Sequence, residues 1–352
     1  MIEDFLRNIE LRKASDLHVI AGDPPRMRVN GDLITLQNQQ LDPAELKDAL
    51  FGIMSEAARK QFETNDAADF AHEIKGLARF RVNVFRHLNG IGAVFRGIPS
   101  TALTLDELDM PKSVRDFTRS NKGLLLVTGK TGSGKTTTLA AMIDAINRQQ
   151  HGHILTIEDP IEFVHERQNC LISQRELGVH TKTFSDALHS ALREDPDVIL
   201  VGELRDLETM SVAMTAAEMG VLVLGTLHTN GAAPTIDRVI NMFPSDKQDH
   251  VRNMLSTSLR GIISQQLAKR RDGKGRVAVL EVLVNTPAVA NLIRQGKLEQ
   301  LESVMQAGRP FGMRTMDGAL AELHQQRVIS GEEAYMQAFD KSNFNKFKNI
   351  SS

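Results

Sequence analysis

The 352-residue chain is long for one domain, and its length alone divides it in two. With 41% hydrophobic and 24% charged residues it has an ordinary globular composition, and its 42 basic and 44 acidic residues nearly cancel to −2, which argues against nucleic acid as the main partner. Cys170, the only cysteine, excludes an internal disulfide and any multi-cysteine zinc cage and fits a reducing compartment, while no apolar run approaches the ~18 residues of a membrane span.

Residues 1–98 read as a small α+β domain. Phe5, Leu6 and Ile9 mark an amphipathic start, followed by the stretch Ser15–Val19, a Gly22-Asp23-Pro24-Pro25 turn and the short strand Met27–Val29. Residues 43–62 are helical in pattern. Arg79–Phe85 alternates with period two as a strand, and Ile91–Ile98 returns after the turn signal Asn89-Gly90. If the turn centres on Leu88-Asn89, Arg81 stands directly opposite Arg96; if on Asn89-Gly90, the two are diagonal neighbours. Like charges on one face repel, so an anion shared between them is one explanation; two solvated arginines on a half-exposed sheet are the other.

Residues 99–121, with Pro99, Ser100 and Pro111, form the expected linker. Residues 122–285 then alternate strands (123–128, 153–158, 198–201, 221–226) with helices (134–148, 185–194, 206–218), which implies a parallel sheet covered by helices. From residue 246 the pattern turns mainly helical: Val251, Met254, Leu255, Ser258, Leu259, Ile262 and Ile263 form one apolar stripe at helical spacing. A strand over 277–284 precedes a helical region, 286–352.

The stretch that organises the chain is Gly129-Lys130-Thr131-Gly132-Ser133-Gly134-Lys135-Thr136, after the apolar run Leu124–Val127 and before an Ala/Met-rich helical pattern. It fits the P-loop. Its glycines free the backbone to wrap N–H groups around phosphate oxygens, with the positive end of a helix dipole behind them. Thr131–Thr137 (Thr131, Gly132, Ser133, Gly134, Lys135, Thr136 and Thr137) are therefore the expected nucleotide-binding residues; Lys135 reaches the β- and γ-phosphates and the Thr136 hydroxyl coordinates Mg²⁺.

Ligands of open parallel sheets bind beyond the carboxyl ends of the strands. Polar clusters stand at three such ends: Glu158-Asp159-Pro160-Ile161-Glu162, Gly202-Glu203 and His228-Thr229-Asn230. Hydrolysis of a γ-phosphate needs a positioned water and neutralised charge. Glu162 and Glu203 are the candidates to polarise that water or hold the Mg²⁺ hydration shell, and His228 to contact the γ-phosphate. A Walker B strand ordinarily ends in Asp, but here that place holds Gly202, and Asp197 lies roughly 16 Å away at the strand's other end.

Taken together, Gly129–Thr136, Thr156–Glu162, Ile199–Asp206 and Gly225–Asn230 resemble the Walker A, Asp, Walker B and His boxes of the secretion ATPase superfamily, including the glycine in Walker B. Ser15–His18 and Pro24–Gly31 resemble that superfamily's PAS-like domain. Within it the chain is most similar to the PilT/PilU branch, the type IV pilus retraction ATPases: the assembly and type II secretion branch (PilB, GspE) usually carries a four-cysteine zinc motif and an extra N-terminal domain, and neither is found in this sequence. The resemblance implies a RecA-like P-loop core behind a PAS-like domain and a cytoplasmic homohexamer using ATP and Mg²⁺, peripheral at the inner membrane on a PilC-like platform protein. It also implies phosphate-contacting roles for Arg81 and Arg96. The helix Ala288–Arg294 departs from the branch's pattern at Ala290, where an arginine is usual, leaving room for a PilU-like accessory motor acting with a paralogous retraction ATPase; surface variation explains the same change.

Overall fold

The computed structural model describes residues 1–12, 14–29, 32–74, 76–98 and 102–348. Asn30 and Gly31 of the PAS-like motif, Pro99 and Ser100 of the expected linker and the last four residues of the expected helical region lie outside the described residues. The chain forms two compact units: Met1–Thr101 with Glu162–Val164, and Ala102–Ile161 with His165–Ser352.

In the first unit a six-stranded antiparallel sheet runs in the order β3-β2-β1-β6-β5-β4, with β1 at Asp16–Ile20, β2 at Arg26–Val29, β3 at Asp32–Thr35, β4 at Ala67–Ile74, β5 at Ala78–His87 and β6 at Gly90–Ile98. Strand β5 alternates as the sequence does: Phe80, Val82 and Val84 point into the core while Arg81 is exposed. The helix Ile2–Leu11 adds Ile2, Phe5, Leu6 and Ile9 to that core. Burying a side chain such as Phe80 or Phe95 is worth ~1.5–3 kcal/mol each, so this inner face carries most of the unit's cohesion.

The helical pattern over 43–62 is two helices, Pro43–Ile53 and Glu56–Asn65. The break at Met54-Ser55 has a local cause, since Ser55 takes an extended conformation and its hydroxyl accepts from Ala58 N, capping the second helix. The turn between β5 and β6 falls on Leu88-Asn89, so Arg81 stands directly opposite Arg96.

In the second unit a seven-stranded sheet runs in the order β13-β12-β7-β11-β10-β8-β9: β7 at Gly123–Thr128, β8 at His153–Glu158, β9 at Leu171–Glu176, β10 at Val198–Val201, β11 at Leu222–Leu227, β12 at Leu259–Lys269 and β13 at Arg276–Val284. All neighbours are parallel except β12 and β13. Both faces are covered, as a parallel sheet requires. Leu124, Leu126, Ile199 and Val201 join a core with residues of the helices Leu207–Glu218 and Ala232–Asn241. Leu125, Val127 and Leu200 cluster with Leu139, Met142, Ile143 and Ile146 of the helix Lys135–Gln149.

One element differs from its sequence pattern. The stripe from Val251 to Ile263 is not a single helix: the helix Gln248–Ser258 ends and Leu259, Ile262 and Ile263 belong to β12. The physical reason is the slot between β7 and β13, where β12 satisfies ladder bonds on both sides. Gly261 favours it too, because a Cβ there would overlap the Phe117 ring and the Leu283 carbonyl. The burial implied by the stripe holds: Leu259, Ile262 and Ile263 are all buried. The C-terminal segment supplies the helices Pro287–Gln295, Leu301–Ala307, Met316–Gln325 and Gly331–Gln337.

Candidate active site

Strand β7 is buried along its whole length and delivers the chain to Gly129 at the sheet's carboxyl edge. Gly129 and Gly134 have φ of 142° and 88°, conformations that side chains rarely adopt. Both also lack room for a Cβ: at Gly129 it would overlap the Gln265 carbonyl, and at Gly134 it would lie 2.7 Å from Gln265 Nε2. The loop thus folds into a curl ending at Lys135, where the next helix starts without any side-chain cap. Its first-turn N–H groups are left for an anion. The Lys135 ammonium bridges the curl, donating to the Gly129 carbonyl at 2.8 Å and the Lys130 carbonyl at 3.2 Å. Thr131 and Gly132 are exposed, Gly134, Thr136 and Thr137 half-buried, and Ser133 buried with its hydroxyl unpartnered among the described residues.

Two strands away, β10 ends at Val201 and the chain continues through Gly202 to Glu203. Gly202 is fixed by its surroundings: its N–H donates to the Ile157 carbonyl at 2.8 Å, and a Cβ would lie 3.2 Å from that oxygen and 3.3 Å from Glu158 Cα. The carboxylate therefore comes one residue later. Glu203, whose side chain is 19% exposed, meets Arg205 Nη2 at 2.7 Å and His228 Nε2 at 3.2 Å. Burial pushes its carboxyl up, but the hydrogen bond and charge of Arg205, aided by His228, outweigh burial and hold it below the usual glutamate range. Glu203 is an ionised acceptor at neutral pH, and the structure brings it together with His228.

The other acids have different surroundings. Glu158 is buried and accepts from Thr156 Oγ1 at 2.6 Å and Gln174 Nε2 at 3.2 Å, and Asp159 is exposed. Asp197 accepts from His153 N at 2.8 Å at the opposite edge of the sheet. Glu162 belongs with the N-terminal unit, as do Arg81 and Arg96. There Arg96 Nε donates to Asp16 Oδ1 at 2.8 Å, so a carboxylate from the next strand balances the arginine pair. Burial raises the Asp16 carboxyl, while the Ser15 hydroxyl and Arg96 lower it by more. Arg81 is exposed and has no ion pair among the described residues. Among the described residues, no group of three or more His, Cys, Asp or Glu side chains gathers to hold a metal.

Sequence reasoning missed three polar side chains at this edge, Ser264 and Gln265 on β12 and Glu281 on β13. Gln265 touches the loop itself, donating from Nε2 to the Ser133 carbonyl at 2.8 Å and accepting from Thr138 Oγ1 at 2.7 Å. Ser264 Oγ accepts from Gly231 N at 2.8 Å. Glu281 accepts from Ala232 N at 2.6 Å and Met316 N at 3.1 Å, joining the starts of two helices. A signal was present: Ser264-Gln265-Gln266 interrupts the apolar run Ile262-Ile263 to Leu267.

Residues 1–334 match the family model described as Type II/IV secretion system protein. The chain is 52% identical over 331 residues to the type IV pilus retraction ATPase PilT of Pseudomonas aeruginosa, covering 94% of this chain and 96% of that protein. It is 42% identical to the type IV pilus ATPase PilU of the same organism, covering 96% and 88%. A crystal structure of the pilus retraction motor PilT with bound ADP superposes with a TM-score of 0.92 at 43% identity, over 98% of this chain and 99% of that one. A P-loop with an uncapped helix behind it, an ionised glutamate at a nearby strand tip and these likenesses agree, and the chain belongs to the PilT family of type IV pilus retraction ATPases within the type II/IV secretion proteins.

Proposed function

We propose that this protein is a homohexameric motor that hydrolyses ATP to drive type IV pilus retraction, working at the cytoplasmic face of the inner membrane on a PilC-like platform protein. The observation that carries the reading is the glycine-rich curl Gly129–Thr136, with Lys135 across it and Glu203 paired to His228 on the same sheet edge. The N–H groups of residues 131–137 and the Lys135 ammonium bind the phosphates. Thr136, with Glu203 and Glu162, is assigned to Mg²⁺ and its water shell; hard oxygen donors suit an ion that keeps several waters and takes only one or two side chains. Bound there, the ion neutralises phosphate charge. Glu203 accepts the proton of the attacking water, His228 contacts the γ-phosphate side, and Arg81 and Arg96 supply positive charge to the phosphates from an N-terminal domain. The domains of this motor are a PAS-like domain at residues 1–98, a linker at 99–121, an ATPase core at 122–285 and a helical region at 286–352.

A PilU-like accessory role, alongside a paralogous retraction ATPase, has one observation in its favour. Ala290 is half-buried in the helix Pro287–Gln295, where the branch usually carries arginine. The higher identity to PilT than to PilU favours the first reading. Steady-state phosphate release by the purified protein, abolished in Lys135→Ala, tests the enzyme. Deleting the gene tests the direction: surplus pili mark a retraction motor, and bald cells mark an assembly motor.

A further inference from the structure

The loop that grips phosphate is itself held by a buried side chain of a neighbouring strand. Strand β12 runs parallel to β7 with Ile263 beside Val127 and Ser264 beside Thr128, which carries Gln265 alongside Gly129. Gln265 is 2% exposed, and a buried carboxamide is costly unless both its ends are satisfied. Both are, and both partners belong to the phosphate-binding element: Nε2 donates to the Ser133 carbonyl and Oε1 accepts from the Thr138 hydroxyl one turn into the helix. The backbone of the same residue closes against Gly129, where its carbonyl leaves no room for a Cβ.

These contacts fall at the entry, the exit and the first helical turn of the curl. The exit contact has a directional consequence. A carbonyl and the N–H that follows it lie in one rigid plane and point opposite ways, so pinning the Ser133 oxygen onto Gln265 turns the Gly134 N–H away from β12 and toward the inside of the curl. Gly134 has no side chain to hold that plane, and at φ of 88° its conformation is set by what surrounds it.

We infer that Gln265 is a positioning residue of the nucleotide site, whose carboxamide pins the Ser133 carbonyl and so aims the Gly134 N–H at the bound phosphates. The inference rests on the nucleotide reading of the loop. It explains why an uncharged amide is buried here: glutamate cannot donate to a carbonyl, methionine of similar length can do neither job, and asparagine is one carbon shorter.

Such a pin serves ground state and transition state alike, so its loss acts on binding more than on turnover. In the full-length protein, Gln265→Met is expected to raise the KM for ATP about tenfold and weaken a fluorescent ATP analogue about tenfold, with kcat within about threefold. Without nucleotide, amide hydrogen exchange over residues 129–135 is expected to quicken about tenfold. Thr138→Val, which removes the other arm and keeps the Ser133 contact, is expected to change affinity by less than about threefold. If Gln265→Met does not fold, Gln265→Glu keeps the volume and the Thr138 bond, and its nucleotide-free exchange rate reads the same pin. An unchanged exchange rate with wild-type affinity overturns the proposal, as does a Thr138→Val defect as large as that of Gln265→Met, which would make the role one of packing. A wild-type protein that fails to bind the analogue overturns the nucleotide reading itself, a result separate from an intact loop in the variants.

Discussion

Glu203→Gln separates folding from chemistry at this site. In the native protein the carboxylate pairs with Arg205, whose side chain is 63% exposed, and with His228, which is 45% exposed. Solvent screens both partners, so each pair is worth ~0.2–1 kcal/mol, and glutamine still accepts from Arg205. The net loss of stability is therefore about 1 kcal/mol or less, a shift of no more than ~4 °C in Tm for a chain of this size. Losing the proton acceptor costs ~10²–10⁴ in rate, which is roughly 3–5 kcal/mol of barrier. The catalytic loss exceeds the structural one severalfold, so the variant should melt near wild type, bind ATP through the unaltered P-loop and release phosphate at least about 100-fold more slowly. The lowered Glu203 carboxyl sets the pH behaviour: its contribution is fully present above the ordinary value of 4.5 and is lost as pH falls through its lower folded value, so turnover should not decline on its account near neutrality. Phosphate release measured beside fluorescent-nucleotide binding is the assay. Turnover of Glu203→Gln within about threefold of wild type would remove this residue from the chemistry and with it the assignment of the strand tip.

The two arginines of the N-terminal sheet should part company in stability. Arg96→Ala strips Asp16, only 5% exposed, of its guanidinium and should cost about 1 kcal/mol, the exposure of Arg96 keeping the figure small, whereas Arg81→Ala should stay within ~0.5 kcal/mol; equal denaturation midpoints would contradict the pairing. Both substitutions should slow hydrolysis by the assembled protein. Glu281 predicts a pH dependence of opposite sense to Glu203. Burial raises its carboxyl above the ordinary 4.5 against the two backbone hydrogen bonds that lower it, so its contribution is present below that value and lost as pH rises through the folded one. The Tm of Glu281→Gln should therefore gain on wild type as pH climbs from 4 to 7, and parallel profiles would show that the acid does not titrate with folding.

The parallel core was legible because its strands are buried on both faces and read as short, mainly apolar runs: Gly123–Thr128, His153–Glu158 and Val198–Val201 match their sequence boundaries. Strand β9 was not, since Leu171-Ile-Ser-Gln-Arg-Glu lies at the sheet edge with one neighbour and has no such run. Strand β12 was obscured by a coincidence of spacing. Leu255, Leu259 and Ile262 fit a helical period, and only the pairing partners on either side, distant in sequence, make the segment extended. That reading also hid Gln265, because a polar residue on an imagined helix attracts no notice while one in a central strand does. At the site, the loop was legible from its glycine spacing, and Glu203 and His228, which the structure pairs, from the rule about strand ends. Glu162, named by the same rule, stands four residues past the end of β8 and is grouped with the N-terminal unit.

Gly202 has a mechanical corollary. A Cβ at Gly202 would crowd β8. Glu203 hangs from a short tether just past the sheet, and that tether is stitched to β11 at two points: Leu204 N donates to the Thr226 carbonyl and Thr226 Oγ1 to the Gly202 carbonyl. The strand holding those stitches is the one that runs on into His228. On the role proposed for His228, a tug from a departing phosphate would pass along covalent chain to the anchor of the glutamate, so the two groups would travel as a pair, and an aspartate restored at position 202 would need the Ile157–Glu158 backbone to give way by a few tenths of an ångström.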